Sequence, residues 1–213
     1  MLFICSVNTI EIIQHLKKCD PLLVKVFEET MPLPDFSPAG NVYYSLLESI
    51  VSQQLSVKAA DTIFNRFLVI FPDNYPHPQL LSEMDVDTLR SVGLSYQKAG
   101  YLKNVAAFSL QNDLEKHPWH SMTDEEIIQM LTQIKGVGKW TVQMLLMFTL
   151  NRPDILPVDD LGIQQGMAKL YQLNTANPKL LKTQMIELAT PWMPWRTVVC
   201  RHLWRWKDQK VGR

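Results

Sequence analysis

The sequence predicts an all-α protein. Three observations carry this. Apolar residues recur at helical spacing through most of the 213 residues, and helix start and stop signals separate the runs. No pair of alternating segments carries the turn chemistry of a β-hairpin.

Taken in order, residues 8–30 set Ile12, Ile13, Leu16, Leu23, Val26 and Phe27 at helical spacing, interrupted by Pro21. The Pro-rich "MPLPDFSPAG" then reads as a connector. From Asn41, a helix carries Val42, Leu46, Leu47, Ile50 and Val51 on one face. After "SQQLS" the stripe resumes with Val57, Ala60, Phe64, Phe67 and Phe71, and "FPDNYPHPQ" reads as a loop by its prolines. "DVDTLRSVGLSYQKAGYLKNVAAFSL" reads as a short helix, a turn at Gly93 and a longer helix capped by Ser95. Thr123-Asp124-Glu125-Glu126 is a capping box opening a helix with Ile127, Ile128 and Leu131. The next helix holds Val142, Leu145, Leu146 and Phe148 and stops at Asn151-Arg152-Pro153. Later helices run through Ile163, Met167 and Leu170, near 178–190, and from about Pro194 to Trp206.

Composition narrows the function classes. The chain is 46% hydrophobic and 20% charged, as in a globular domain, and its net charge is zero. Nucleic-acid binders are often basic, so a local patch would have to serve. Arg196, Arg201, Arg205, Lys207, Lys210 and Arg213 offer one, although on these residues alone a solvated C-terminal helix is the favoured explanation. Cys5, Cys19 and Cys200 form neither a disulfide framework nor a zinc set, which points to a reducing compartment. The start "MLFICSVNTI" lacks a basic leader and reads as folded structure. No segment approaches the roughly 18 apolar residues of a membrane span. A cytoplasmic protein without a membrane partner is expected.

The most unusual stretch is "IKGVGKWT", Ile134 to Thr141, which joins two helices through Gly136-Val137-Gly138. Rossmann and P-loop glycine motifs need a strand before the helix and other spacings, so a nucleotide cofactor is excluded. A Gly-x-Gly hairpin leaves amides at a helix start able to meet a sugar–phosphate backbone. An ordinary helical turn is the equal alternative on these residues alone.

Twenty residues on stands "PVDDL". The span "IKGVGKWTVQMLLMFTLNRPDILPVDD" resembles the helix-hairpin-helix DNA glycosylase superfamily, and within it the 3-methyladenine DNA glycosylase II branch. "SIVSQQLSVKAA", "VGLSYQKAGYLKNVA" and "PWRTVVCRHLWRW" are similar to segments of that branch in the same order, so the resemblance covers roughly residues 40 to 206. It implies two helical subdomains, 41–155 ending in the hairpin and 1–40 plus 156–213 as a discontinuous second, with a DNA-binding cleft between them. It also implies a monomer on double-stranded DNA containing alkylated bases, at the nucleoid of a prokaryote or in a eukaryotic nucleus.

By the same resemblance Asp160 is the carboxylate that stabilises the oxocarbenium-like sugar as the glycosidic bond breaks. Asp160 would also suit the helix N-cap; Asp159 is read as the pure cap or structural residue, and the reverse assignment stays open. Lyase members carry a nucleophilic lysine where this chain has Trp140, so hydrolysis without strand cleavage is implied. Trp140 and Trp195 would wall the base pocket, with Met144 at its edge. Gly136, Val137, Gly138, Lys139 and Thr141 would hold the backbone, and Gln53, Gln54 and Leu55 supply candidates for the wedge that fills the emptied stack. No cofactor and no metal are implied: the four cysteines of the iron–sulfur members are absent. The rival readings are a non-catalytic DNA damage-binding protein, and the same fold acting on deaminated or oxidised bases.

Overall fold

The computed structural model describes residues 9–30 and 40–207. Cys5 and the apolar start, residues 31–39 of the connector, and Lys210 and Arg213 lie outside the described residues. Among the described residues the fold is all-α, with no strand. The helices are α1 Thr9–Cys19, α2 Leu23–Glu29, α3 Val42–Ser52, α4 Val57–Val69, α5 Pro78–Glu83 and α6 Val86–Ser91. They continue as α7 Tyr96–Asn112, α8 Asp124–Leu131, α9 Lys139–Phe148, α10 Leu161–Tyr171, α11 Pro178–Leu188 and α12 Arg196–Lys207. None of them is long and apolar enough to cross a membrane.

The helices divide into two compact units. One holds α3 to α9 and ends at Leu150; the other joins α1 and α2 to everything from Asn151 onward.

In the first unit α3 is the central rod. Val42, Tyr43, Leu46, Leu47, Ile50 and Val51 are all at most 1% exposed, each side chain contributing roughly 1.5–3 kcal/mol of apolar burial. Helices α4, α7 and α9 pack around it, α5 and α6 lie on α7, and α8 lies on α9. Side-chain caps set where the helices begin. Asn41 accepts from the Tyr44 amide at 3.0 Å, and Ser95 from Lys98 at 3.2 Å. Thr123 and Glu126 close a reciprocal box at 3.2 and 2.7 Å. The two ends of the unit meet where the Gly40 amide donates to the Thr149 carbonyl at 2.9 Å.

One expectation needs correction. The Pro-rich stretch after Phe71 is not all loop: Pro72–Asn74 is a 3-10 turn and α5 starts at Pro78. A proline at the first helical position lacks only an N–H that would have had no helical acceptor, and its φ suits the helix. Here the prolines open helices rather than break them.

In the second unit α12 is the core helix, packed on α10 and α2. Thr197, Val198, Val199, Cys200, His202, Leu203 and Trp206 are all buried on it, so it is not a solvated helix. Of its basic side chains, Arg196 is taken up in a fork with Asp154.

His202 is 1% exposed. The Thr30 hydroxyl gives its proton to the Val26 carbonyl at 2.7 Å, so at 2.6 Å His202 Nδ1 must donate to Thr30. Burial, reinforced by the charges of Arg201 and Arg205, lowers the imidazole from 6.5 to about 4. A depressed histidine is neutral when folded, whereas the unfolded chain takes up a proton near its ordinary value. Stability is therefore complete above the unfolded value and declines as pH falls from about 6.5 to about 4, by up to about 3 kcal/mol. Thermal unfolding should show that acid loss in wild type and a flatter curve in His202→Gln; equal slopes would refute the assignment.

Candidate functional site

The turn between α8 and α9 is built around a residue that must be glycine. Gly136 has φ +106°, and a Cβ there would lie 2.3 Å from Cγ of the Tyr101 ring. That ring lies directly against the hairpin from α7, and its hydroxyl accepts from Gln97 at 2.6 Å. The carbonyls of the turn are taken up by protein donors: Ile134 by the Val137 amide at 2.9 Å, Lys135 by Asn104 at 3.1 Å, and Gly136 by Gln53 at 3.4 Å. Helix α9 then begins at Gly138 without a side-chain cap. The amides of Gly138 and Lys139 precede the first intrahelical bond, Val142 to Gly138, and the partial positive charge of the helix start adds to them. Gly138 and Lys139 are exposed. Val137 and Thr141 are buried, so these two expected backbone contacts can offer main chain but no side chain.

Beside the hairpin opens a pocket of about 610 Å³ lined by Glu48, Ser49, Ser52, Gln53, Gln54, Trp140 and Met144. It brings together four of the residues singled out from the sequence. Trp140 is 44% exposed, so its ring is not buried in the core. Leu55 is exposed next to the pocket but does not line it. The loop that carries Gln53 and Gln54 is fixed from behind. Lys98 Nζ donates to the carbonyls of Val51 and Gln53, both at 2.7 Å, closing the carbonyl end of α3 with a cation. Burial lowers the Lys98 pKa. Gln53 is half-buried and reaches back to Gly136, whereas Gln54 adopts left-handed backbone, φ 59°, with its side chain exposed. Of the three wedge candidates, Gln53 is committed to the hairpin, and Gln54 and Leu55 remain outward-facing.

The other unit holds Asp160 and Trp195. Asp160 is the N-cap of α10: its Oδ1 accepts from the Ile163 amide at 2.8 Å and from the Trp204 indole N–H at 2.7 Å. The carboxylate is only 9% exposed. Asp159, read from the sequence as the pure cap or a structural residue, pairs with Lys182 at 2.5 Å on the surface, and the cap is Asp160, a role its sequence position also suits. The segment leading to it is stitched to the start of α12. Thr197 donates its hydroxyl to the Arg152 carbonyl at 2.6 Å and accepts from the Ile155 amide at 3.0 Å. Arg196 grips the Asp154 carboxylate at 2.6 and 2.8 Å. Trp195 is half-buried just before α12, and its amide donates to the Trp192 carbonyl at 2.7 Å.

Sequence reasoning missed three of these residues. Trp204 finds Asp160 across 44 positions, and the local hint was Gly162: a Cβ there would come within 2.7 Å of the Trp204 ring. Lys98 and Glu48 stand off the apolar stripes, where a charged residue normally means only solvent. Among the described residues no three His, Cys, Asp or Glu side chains gather as a metal set.

The family model of the HhH-GPD superfamily of base excision DNA repair proteins matches residues 47–191. DNA-3-methyladenine glycosylase 1 of Schizosaccharomyces pombe is 38% identical over 165 residues, 76% of this chain and 71% of the relative. A putative DNA-3-methyladenine glycosylase of Bacillus subtilis, YfjP, is 32% identical over 91% of this chain and 68% of its own length. Among solved structures, the S. pombe 3-methyladenine DNA glycosylase Mag1 in complex with abasic DNA superposes with a TM-score of 0.77 at 33% identity, over 94% of this chain and 100% of that one. The chain belongs to the HhH-GPD superfamily of base excision DNA repair proteins.

Proposed function

We propose that this protein is a DNA glycosylase that removes alkylated purines such as 3-methyladenine and 7-methylguanine, as a monomer on double-stranded DNA, without cutting the strand. The observation that carries the reading is Asp160: a nearly buried carboxylate whose Oδ1 is held by two N–H donors at 2.7 and 2.8 Å, in a chain whose relatives are 3-methyladenine glycosylases. Its natural place of work is the nucleoid, or the nucleus of a eukaryotic cell.

The chemistry follows from the substrate. An alkylated purine is already cationic, so when the C1′–N bond breaks the electron pair neutralises the base and positive charge moves to the deoxyribose. Asp160 faces that charge as a fixed anion and directs water to C1′, which gains the hydroxyl as the water passes its proton to the carboxylate. The damaged nucleotide must leave the stack to reach this site. Trp140 offers it an exposed indole, Gln54 and Leu55 fill the gap, and the amides of Gly138 and Lys139 hold the flanking phosphate. Trp140 also stands where lyase relatives of the superfamily have their lysine, so no amine is placed there to form a Schiff base.

The test is to incubate the protein with duplex DNA containing 7-methylguanine. Free base should appear while the strand stays whole until heated in alkali. Strand scission without alkali would overturn hydrolysis-only action. Tight binding without release would make the protein a damage binder, and release of hypoxanthine or 8-oxoguanine alone would move the substrate class.

Trp204 acts here as a positioning residue. Trp204→Phe keeps an aromatic side chain but removes the indole N–H that donates to Asp160, so kcat should fall about tenfold with KM unchanged. Gly162→Ala, which pushes the indole aside, should reproduce that loss. A change in KM alone in both variants would show that Trp204 serves packing only.

A further inference from the structure

We infer that Glu48 is the residue that selects for positive charge on the extruded base. The inference rests on the alkylpurine reading above and adds to it the group that recognises the cation. Three observations support it. Glu48 is the only charged side chain among the seven residues lining the pocket that Trp140 and Met144 share. It is exposed, and it makes no ion pair among the described residues. Its placement is also repeated one turn on: Glu48 and Ser52 lie four residues apart on α3, Trp140 and Met144 four apart on α9, and these two helices pack together. Residues at that spacing share a helix face, so a carboxylate and an indole line one cavity from adjacent helices.

Ser52 sharpens the arrangement. Its hydroxyl donates to the Glu48 carbonyl at 2.8 Å, so it does not compete for the carboxylate, which is left to a ligand. An exposed carboxylate beside a surface that meets phosphates costs binding energy through repulsion and would otherwise be a poor choice. A cation entering the pocket reverses the sign. The indole face attracts it, and the carboxylate attracts it from the side or accepts a hydrogen bond from its amino group. A neutral purine gains from the stacking but not from the charge. Glu48 thus discriminates between two bases of nearly equal shape, which an apolar wall does poorly.

The experiment compares Glu48→Gln with wild type on two duplexes, one containing cationic 7-methylguanine and one containing neutral hypoxanthine, with binding to abasic product DNA as a control. Glutamine keeps the size and a hydrogen-bonding carbonyl. The ratio of kcat/KM for 7-methylguanine over hypoxanthine should fall about fivefold in the variant, and product binding should hold or tighten. A ratio equal to that of wild type would overturn the inference while leaving the glycosylase reading intact. Where wild type is active only on 7-methylguanine, the variant's rate on that base decides, with an unchanged rate counting against Glu48. A wild-type protein that releases neither base overturns the reading beneath it, and this inference with it.

Discussion

Asp160→Asn is expected to slow base release by about 100- to 1,000-fold while the melting temperature stays close to that of wild type. The expectation is sharp because the geometry separates two roles. As N-cap, Asp160 uses Oδ1 to accept from the Ile163 amide and the Trp204 indole. An asparagine carbonyl can accept both bonds and caps a helix about as well as aspartate. What it cannot supply is the negative charge that the proposed mechanism sets opposite the sugar. Asp160→Ala is the complementary variant. It loses charge and cap together, so it should be inactive and also less stable by about 1 kcal/mol. Single-turnover release of 7-methylguanine, with melting curves for both variants, distinguishes the roles. Full activity in Asp160→Asn would remove the carboxylate from the mechanism.

The second large effect is structural. Gly136→Ala should destabilise the protein by about 2–5 kcal/mol, the sum of a strained backbone and an overpacked contact. At φ +106° an L side chain is poorly tolerated, and the added Cβ would fall 2.3 Å from the Tyr101 ring. Because the Gly136 carbonyl also receives Gln53, the damage reaches the loop beside the pocket, and affinity for duplex DNA should drop with stability. Urea unfolding and DNA titration of Gly136→Ala and of Gly136→Ala with Tyr101→Ala resolve the parts. The double variant should recover the packing share and keep the backbone share. A single variant as stable as wild type would show that the turn is not constrained as described.

Much of this was legible in the sequence because it is local. The stripe Val42, Leu46, Leu47, Ile50, Val51 predicts a buried helix face, and Ser95 and the Thr123–Glu126 box mark the helix starts at which those caps stand. Gly136-Val137-Gly138 showed the turn, though not that Tyr101 lies beneath it. Helix α5 was hidden by a sign ambiguity: a proline ends a helix from inside and starts one from its first position, and His77-Pro78 does not say which. What stayed unread in the candidate site is non-local. Trp204 on α12 is one tryptophan among six until Asp160 is found at its N–H. Asp159 and Asp160 are chemically identical neighbours, and only the path of the chain sends one to Lys182 and the other to the start of α10. Glu48 and Lys98 look like surface charges because their meaning depends on what the facing helix or loop brings opposite them.

The hydrogen bond from Gly40 to Thr149 has a consequence for biosynthesis. It marks the α3–α9 unit as an insertion whose two ends lie side by side, so that unit is complete as soon as Leu150 has left the ribosome. Helices α1 and α2 emerge earlier but finish later. Ile12, Leu16, Leu23, Val26 and Phe27 are buried in the folded unit, yet α12, the helix on which α2 packs, is among the last segments to be made. Between the emergence of Leu150 and that of α12 the nascent chain therefore carries an uncovered apolar segment ahead of a finished domain. That segment is the stretch a ribosome-associated chaperone would have to shield.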